Sequence, residues 1–325
     1  MEAIPSIMAQ NLLSPIVLSF ALGLFASLAR SSLSVPEAAA KALSLYLLFA
    51  IGFKGGASVA AHGLDGSLAA SLVAGVALSF VIPFVAFGLL RAMTRLSAVD
   101  AAAVAGHYGS ISIVTFVSAT AILASRAIDY EGYMVAVAAA MEAPAIIAAL
   151  WLATRAGTGA RMDRELWREV LLNGSIVLLI GAFMIGAITG ERGLKEIESF
   201  IVSPFKGVLC LFLLDMGLVA GRGLRQARSV LSPGAFAFAV LMPLVGAALA
   251  MPVAAALGLS AGGTALLMVL SASASYIAVP AAMRVALPEA NPSIYLTLSL
   301  GVTFPFNLAL GIPIYIALAE IIGGV

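Results

Sequence analysis

The chain has 325 residues and a net charge of +1; 62% of its residues are apolar and 10% charged, and its mean hydropathy is +1.11. Soluble domains carry roughly 25% charge, so this composition excludes a water-soluble fold. The net charge itself says nothing about partners, and no nucleic-acid partner is expected.

Counting membrane spans therefore replaces counting globular domains. In chain order, charge-free windows cover residues 3–29, 66–90, 101–125, 170–190, 229–283 and 290–319. The window 229–283 is 55 residues long, enough for two spans with a turn at the glycines near Gly258. Three further spans, about 36–60, 132–154 and 202–221, tolerate a few charges. The expected fold is an all-α polytopic membrane protein of ten transmembrane helices. Its windows are continuous and do not alternate with period two, which argues against a β-barrel.

The first ten residues, MEAIPSIMAQ, lack a basic region and a small-residue cleavage pattern, so the first span reads as retained. The single cysteine, Cys210, lies within an apolar span and leaves no disulfide partner. With ten spans, the loops after the odd-numbered ones hold or adjoin twelve Lys and Arg residues, from Arg30 to Arg284. The other side holds four, Lys54, Arg126, Arg192 and Lys195, with Lys206 at the head of span 7 left out. The positive-inside rule then places both termini on the non-cytoplasmic side, in a bacterial inner membrane.

The chain also resembles itself at a shift of about 160 residues. Residues 22–25 match 180–183, 50–56 match 215–221, 109–112 match 272–275, and 142–144 fall on 303–305. Residues 1–155 and 170–325 are thus two five-helix repeats, joined by a charged cytoplasmic linker over 156–169. An odd helix count makes the second repeat enter the membrane from the opposite side. Such 5+5 inverted repeats are an architecture of secondary transporters, with substrate sites near the midplane.

Spans 4 and 9 carry polar, helix-weakening stretches at equivalent places: AGHYGSISIVTF over 105–116 and SASASYIAVP over 271–280. Glycine costs about 1 kcal/mol in a helix interior, Pro280 removes a donor, and serines compete for backbone groups. Both helices are therefore expected to be interrupted. Non-helical backbone at that depth survives only inside protein or against a wet cavity. Half-helices starting near Ser110 and near Ser273 or Ser275 would aim free N–H groups and positive dipole ends at one another. That makes a small-anion site without lysine or arginine. Freed carbonyls and the hydroxyls of Ser110, Ser112, Thr115, Ser271, Ser273 and Ser275 are hard oxygen ligands suited to sodium. The competing reading is a seam of small residues that lets helices approach.

Glu142 is the only acid in span 5 and precedes Pro144; Asp215 is the only acid in span 7. Intramembrane acids are functional candidates, as cation ligands or proton-taking coupling groups, although Asp215 lies close enough to Arg222 to sit near the interface. Asn307, just after Pro305, is a third polar candidate. His107 reads as a structural residue before it reads as a proton relay. No metal-ligand spacing, nucleophile–base set or phosphate loop is present, so the chain does not read as an enzyme.

Residues 36–38 (PEA), 51–56 (IGFKGG), 99–101 (VDA), 109–112, 141–145 (MEAPA), 290–293 (ANPS) and 310–315 (LGIPIY) carry a wider likeness. Over nearly its full length the chain resembles the SbtA-type sodium-dependent bicarbonate transporters. The resemblance implies bicarbonate uptake with sodium as coupling ion and no other cofactor. It also implies a homotrimer in membrane lipid and, in some members, a PII-like protein docking on the cytoplasmic side. Substrate would lie where Gly109, Ser110, Ile111 and Ser112 cross Ala274, Ser275 and Tyr276. Sodium would be held among Ser110, Ser112, Thr115, Glu142, Ser271, Ser273 and Asn307. The chain departs from cyanobacterial members at Tyr276, where they carry an acid, at Glu142, where they carry Asp, and in its shorter linker. A sodium- or proton-coupled carrier of another small carboxylate is the alternative, and a membrane anion sensor a more distant one.

Overall fold

The computed structural model describes residues 9, 11–62, 66–155, 168, 172, 174–226 and 232–322. The expected linker lies outside them apart from Arg168, as do residues 1–8. All regular structure among the described residues is helical.

In chain order the helices are α1 (Pro15–Leu28), α2 (Glu37–His62), α3 (Gly66–Met93), α4 (Ala98–Gly109), α5 (Ile113–Ser125), α6 (Met134–Ala140) and α7 (Glu142–Arg155). There follow α8 (Gly174–Ile201), α9 (Phe205–Gln226), α10 (Pro233–Leu257), α11 (Ala261–Ala272), α12 (Ala278–Ala286) and α13 (Pro292–Ile322). The starts are written locally. Ser14 and Ser232 cap α1 and α10, each with proline at the first helical position, and Ser97 and Ser260 cap α4 and α11. The turn expected near Gly258 is there: Gly258 ends α10 with φ 66°, a left-handed conformation that costs glycine nothing.

Among the described residues, eight helical stretches are long and apolar enough to cross a membrane: α2, α3, α4 with α5, α6 with α7, α8, α9, α10 and α13. Two shorter apolar helices, α1 and α11, accompany them. The polar run of span 4 sits inside protein, since the hydrophobic window of Ala98–Ser125 is 83% buried against 17% for α8. Lipid punishes none of its serines, because it meets almost none of them.

Helix pairing divides the molecule into two parts. α1 lies along α9 and α2 along α8, each pair packed more closely than side chains would allow. A Cβ on Gly217 would meet the Phe20 carbonyl oxygen at 2.2 Å, and one on Gly52 the Leu179 carbonyl oxygen at 2.7 Å. In the other part, α3 packs on α4 and α7, and α10 on α11 and α13, with α3 against α10 between them. The two broken helices run through the middle of this second part.

Span 5 is interrupted as well, which Pro144 alone did not predict: α6 stops at Ala140, Met141 is a turn, and α7 starts at Glu142. In α13 the stretches Thr297–Thr303 and Asn307–Gly311 are wound as π-helix, a loosening often found beside functional sites.

Candidate functional site

The two expected breaks are present and share one backbone geometry. Ser110, after α4, is extended at φ −86°, ψ 158°; Ser273, after α11, at φ −88°, ψ 165°. Gly109 is glycine because a Cβ there would lie 2.2 Å from the Pro83 ring of α3. The breaks cross and hold each other. The Ser112 N–H donates to Ser273 Oγ at 2.9 Å, and the Ser275 N–H donates to the His107 carbonyl at 2.7 Å.

The half-helices begin later than the sequence suggested, at Ile113 and Ala278. The starts near Ser110 and near Ser273 or Ser275 are corrected on this point. Extended residues are needed to carry each strand of backbone across the other, so helix resumes only beyond the contact. Ser112 Oγ then accepts the Thr115 N–H at 3.2 Å, and Ser275 Oγ accepts the Val279 N–H at 3.4 Å. Ser112 is the cap of its half-helix, whereas Ser275 reaches the first turn of the other from two residues before the cap position, Ile277; the other first-turn N–H groups have no intrahelical carbonyl to meet.

A cavity of about 10 Å³ adjoins the crossing, lined by Ile111, Ser112, Glu142, Ser275 and Tyr276. That is room for one water-sized species. Glu142 is 3% exposed, and its Oε2 has no hydrogen-bond partner. As the first residue of α7 it sits where the helix dipole favours an anion. The Tyr276 hydroxyl is likewise buried without a partner, its ring edge-on to Phe304 at 5.5 Å. Ser44 of α2 and Ser175 of α8 also line the cavity. Single serines in apolar runs gave sequence reasoning nothing to find them by.

The other expected residues do not line this cavity. Ser273 donates to Leu270 O at 2.9 Å. The Asn307 amide donates to Ala272 O at 2.8 Å and receives the Tyr315 hydroxyl at 3.0 Å. These groups satisfy the end of α11 and so hold the break open. Ser110 and Ser271 are buried with unpartnered hydroxyls, and Thr115 and Ala274 are buried beside them. His107 is fully buried, its Nδ1 2.7 Å from Ala103 O and its ring stacked on Tyr295 at 4.3 Å. Asp215 is buried in α9 and does not line the cavity.

A larger cavity of about 700 Å³ reaches Tyr276 and Ile277 from the end of the bundle that carries Glu37, Arg222 and Arg284. Tyr276 and Ile277 line both cavities. They stand between the crossing and that end.

A family model described as the Na+-dependent bicarbonate transporter superfamily matches residues 15–320. The chain belongs to this superfamily. No curated protein matches it significantly. A member of the Na+-dependent bicarbonate transporter superfamily has sodium as its coupling ion. Among the described residues there is no group of three or more His, Cys, Asp or Glu that could hold a metal. Sodium bound by this member would rely on hydroxyls, carbonyls and one carboxylate, the hard oxygen set suited to it. The unpartnered Glu142 Oε2 and the Ser110 and Ser271 hydroxyls fit that requirement.

Proposed function

We propose that the protein is a secondary active transporter that carries bicarbonate into the cell together with sodium. The observation that carries this reading is the buried, unpartnered Glu142 Oε2 in a cavity that Ser112 and Ser275, from opposite breaks, also line. Once the crossing opens beyond its one-water cavity, substrate is held there by first-turn N–H groups and the hydroxyls of Ser112, Ser275 and Tyr276, with Gly109, Ser110, Ile111 and Ala274 shaping the backbone. Sodium is held by Glu142, with Ser110, Ser112, Thr115 and Ser271 as surrounding oxygens, while Ser273 and Asn307 fix the backbone of the break around it. A cation between an ionised carboxylate and the anion relieves their repulsion, which would couple the two ligands.

On this reading the molecule has ten spans in two inverted repeats, 1–155 and 170–325. The exchange of helix pairs supports it: α1 with α9 and α2 with α8 are the same pair seen from either repeat. Gly52 and Gly217, matched in sequence, also make matched backbone approaches. Both termini face away from the cytoplasm of a bacterial inner membrane. The working assembly is a homotrimer, and a PII-like protein is its expected cytoplasmic regulator.

The test is uptake of labelled bicarbonate into proteoliposomes with and without an inward sodium gradient, against acetate. Sodium-driven bicarbonate uptake is expected. Bicarbonate uptake without sodium dependence would remove the symport, and uptake of acetate alone would make the protein a carrier of another carboxylate.

A further inference from the structure

A separate cavity of about 190 Å³ opens at the end of the bundle that carries Asn11, Arg126 and Pro313. It shares no lining residue with the crossing. Two helices begin at it, α1 through Ser14–Ile16 and α9 through Lys206. Because α1 and α9 pack on each other, their positive dipole ends lie close together. Arg126 and Lys206 add two cationic side chains, against the one carboxylate of Glu320, 3.3 Å from Arg126 Nη2. The carbonyl end of α5 also points here, but the Arg126 N–H and Ser125 Oγ cover it by donating to Ile122 O.

Two buried polar atoms in this wall have no partner. One is Arg126 Nη1, a donor. The other is Oδ1 of Asn11, an acceptor; Asn11 is only 7% exposed and uses its amide hydrogens on Leu308 O at 2.9 Å and Ala309 O at 3.1 Å. Buried polar groups are rarely left unmade. A ligand that satisfies both must accept from a guanidinium and donate to a carboxamide oxygen.

We propose that this cavity is a second anion site, remote from the crossing, for a small singly charged oxyanion that carries an O–H group. Resting on the transport reading above, the anion is bicarbonate, gathered on the side from which it enters. Its negative oxygens face Arg126, Lys206 and the two helix starts, and its O–H donates to Asn11.

Initial rates of labelled bicarbonate uptake by the full chain in proteoliposomes test this. Arg126→Gln is expected to raise KM about tenfold at low ionic strength with kcat unchanged, and the gap should close in high salt as steering is screened. Arg126→Lys should recover most of the loss, and Glu320→Gln, which removes the counter-charge, should lower KM. Unchanged KM in both Arg126→Gln and Glu320→Gln would reduce the pair to a structural ion pair and overturn the proposal. A second readout does not depend on transport. Ser125→Cys, in a Cys210→Ala chain, should be shielded by bicarbonate from a charged thiol reagent in vesicles of neutral lipid. Shielding by anionic phospholipid instead, with none by bicarbonate, would identify the occupant as a lipid phosphate and overturn the assignment. Shielding in the Ser125→Cys chain, with no bicarbonate uptake by the wild-type protein, would sink the transport reading and leave this site standing.

Discussion

Glu142 is the acid at the crossing, and its surroundings decide what it needs. An uncompensated buried carboxylate costs several kcal/mol, so Glu142 takes either a proton or, on the transport reading, a cation beside it. Glu142→Gln keeps the shape and removes the charge. Sodium stimulation of uptake should fall at least about tenfold, while thermal stability holds or rises, because no partner of Oε2 is lost. Sodium-stimulated uptake at the wild-type level would take Glu142 out of the ion site. Ser112 and Ser275 carry a double duty, since each accepts a first-turn N–H of a half-helix and lines the cavity. Ser112→Ala should cost about 1 kcal/mol of stability and Ser275→Ala less, too little to unfold the chain, yet each should lower uptake severely. Normal uptake by both would leave the serines as packing alone. His107 shows the limit of residue-level reading: its Ala103 bond and Tyr295 stack support a structural part in the crossing.

At the scale of helices, glycine is the residue that separates structure from function. The IGFKGG run was legible as half of a repeat, but its purpose is contact: a Cβ on Gly56 would fall 1.9 Å from the Phe183 carbonyl oxygen. Gly56→Val should separate α2 from α8 and lower the yield of folded protein and its melting temperature. Gly181→Ala, also in a repeat match, meets nothing within 4 Å and should be neutral or stabilising by up to about 1 kcal/mol. Melting of the two variants in detergent checks both expectations; equal effects would show that helix propensity, rather than backbone approach, dominates here. The broken helices were legible because serine, glycine and proline act locally. Their restart points were not, since Ile113 and Ala278 begin helix only after the chain has cleared its partner. The interruption at Met141 escaped for the same reason. It depends on neighbours, among them Ser79, whose hydroxyl donates to the Met141 carbonyl.

For the whole molecule, the cavity lined by Arg222 and Arg284 gives the crossing an opening at one end. Ile277 is 45% exposed there. Ile277→Cys, with Cys210 replaced by alanine, should react with an impermeant thiol reagent in inside-out vesicles and resist it in right-side-out ones. The opposite pattern would invert the orientation drawn from the basic residues.

Composition and the run lengths of apolar residues determined by themselves that this is a helical membrane protein. The paired polar breaks marked where lipid could not be the neighbour. Those inferences are local, resting on the cost of charge and of unpaired backbone in hydrocarbon. Only the tertiary structure decided which oxygens meet. Ser112, Glu142, Ser275 and Tyr276 come from three separate spans, and their convergence depends on how helices cross. Asn307 and Ser273 carry equally polar groups, yet neighbouring backbone already claims them. Hydrogen bonds are allotted in three dimensions, so the difference between a spent oxygen and a free one appears only there.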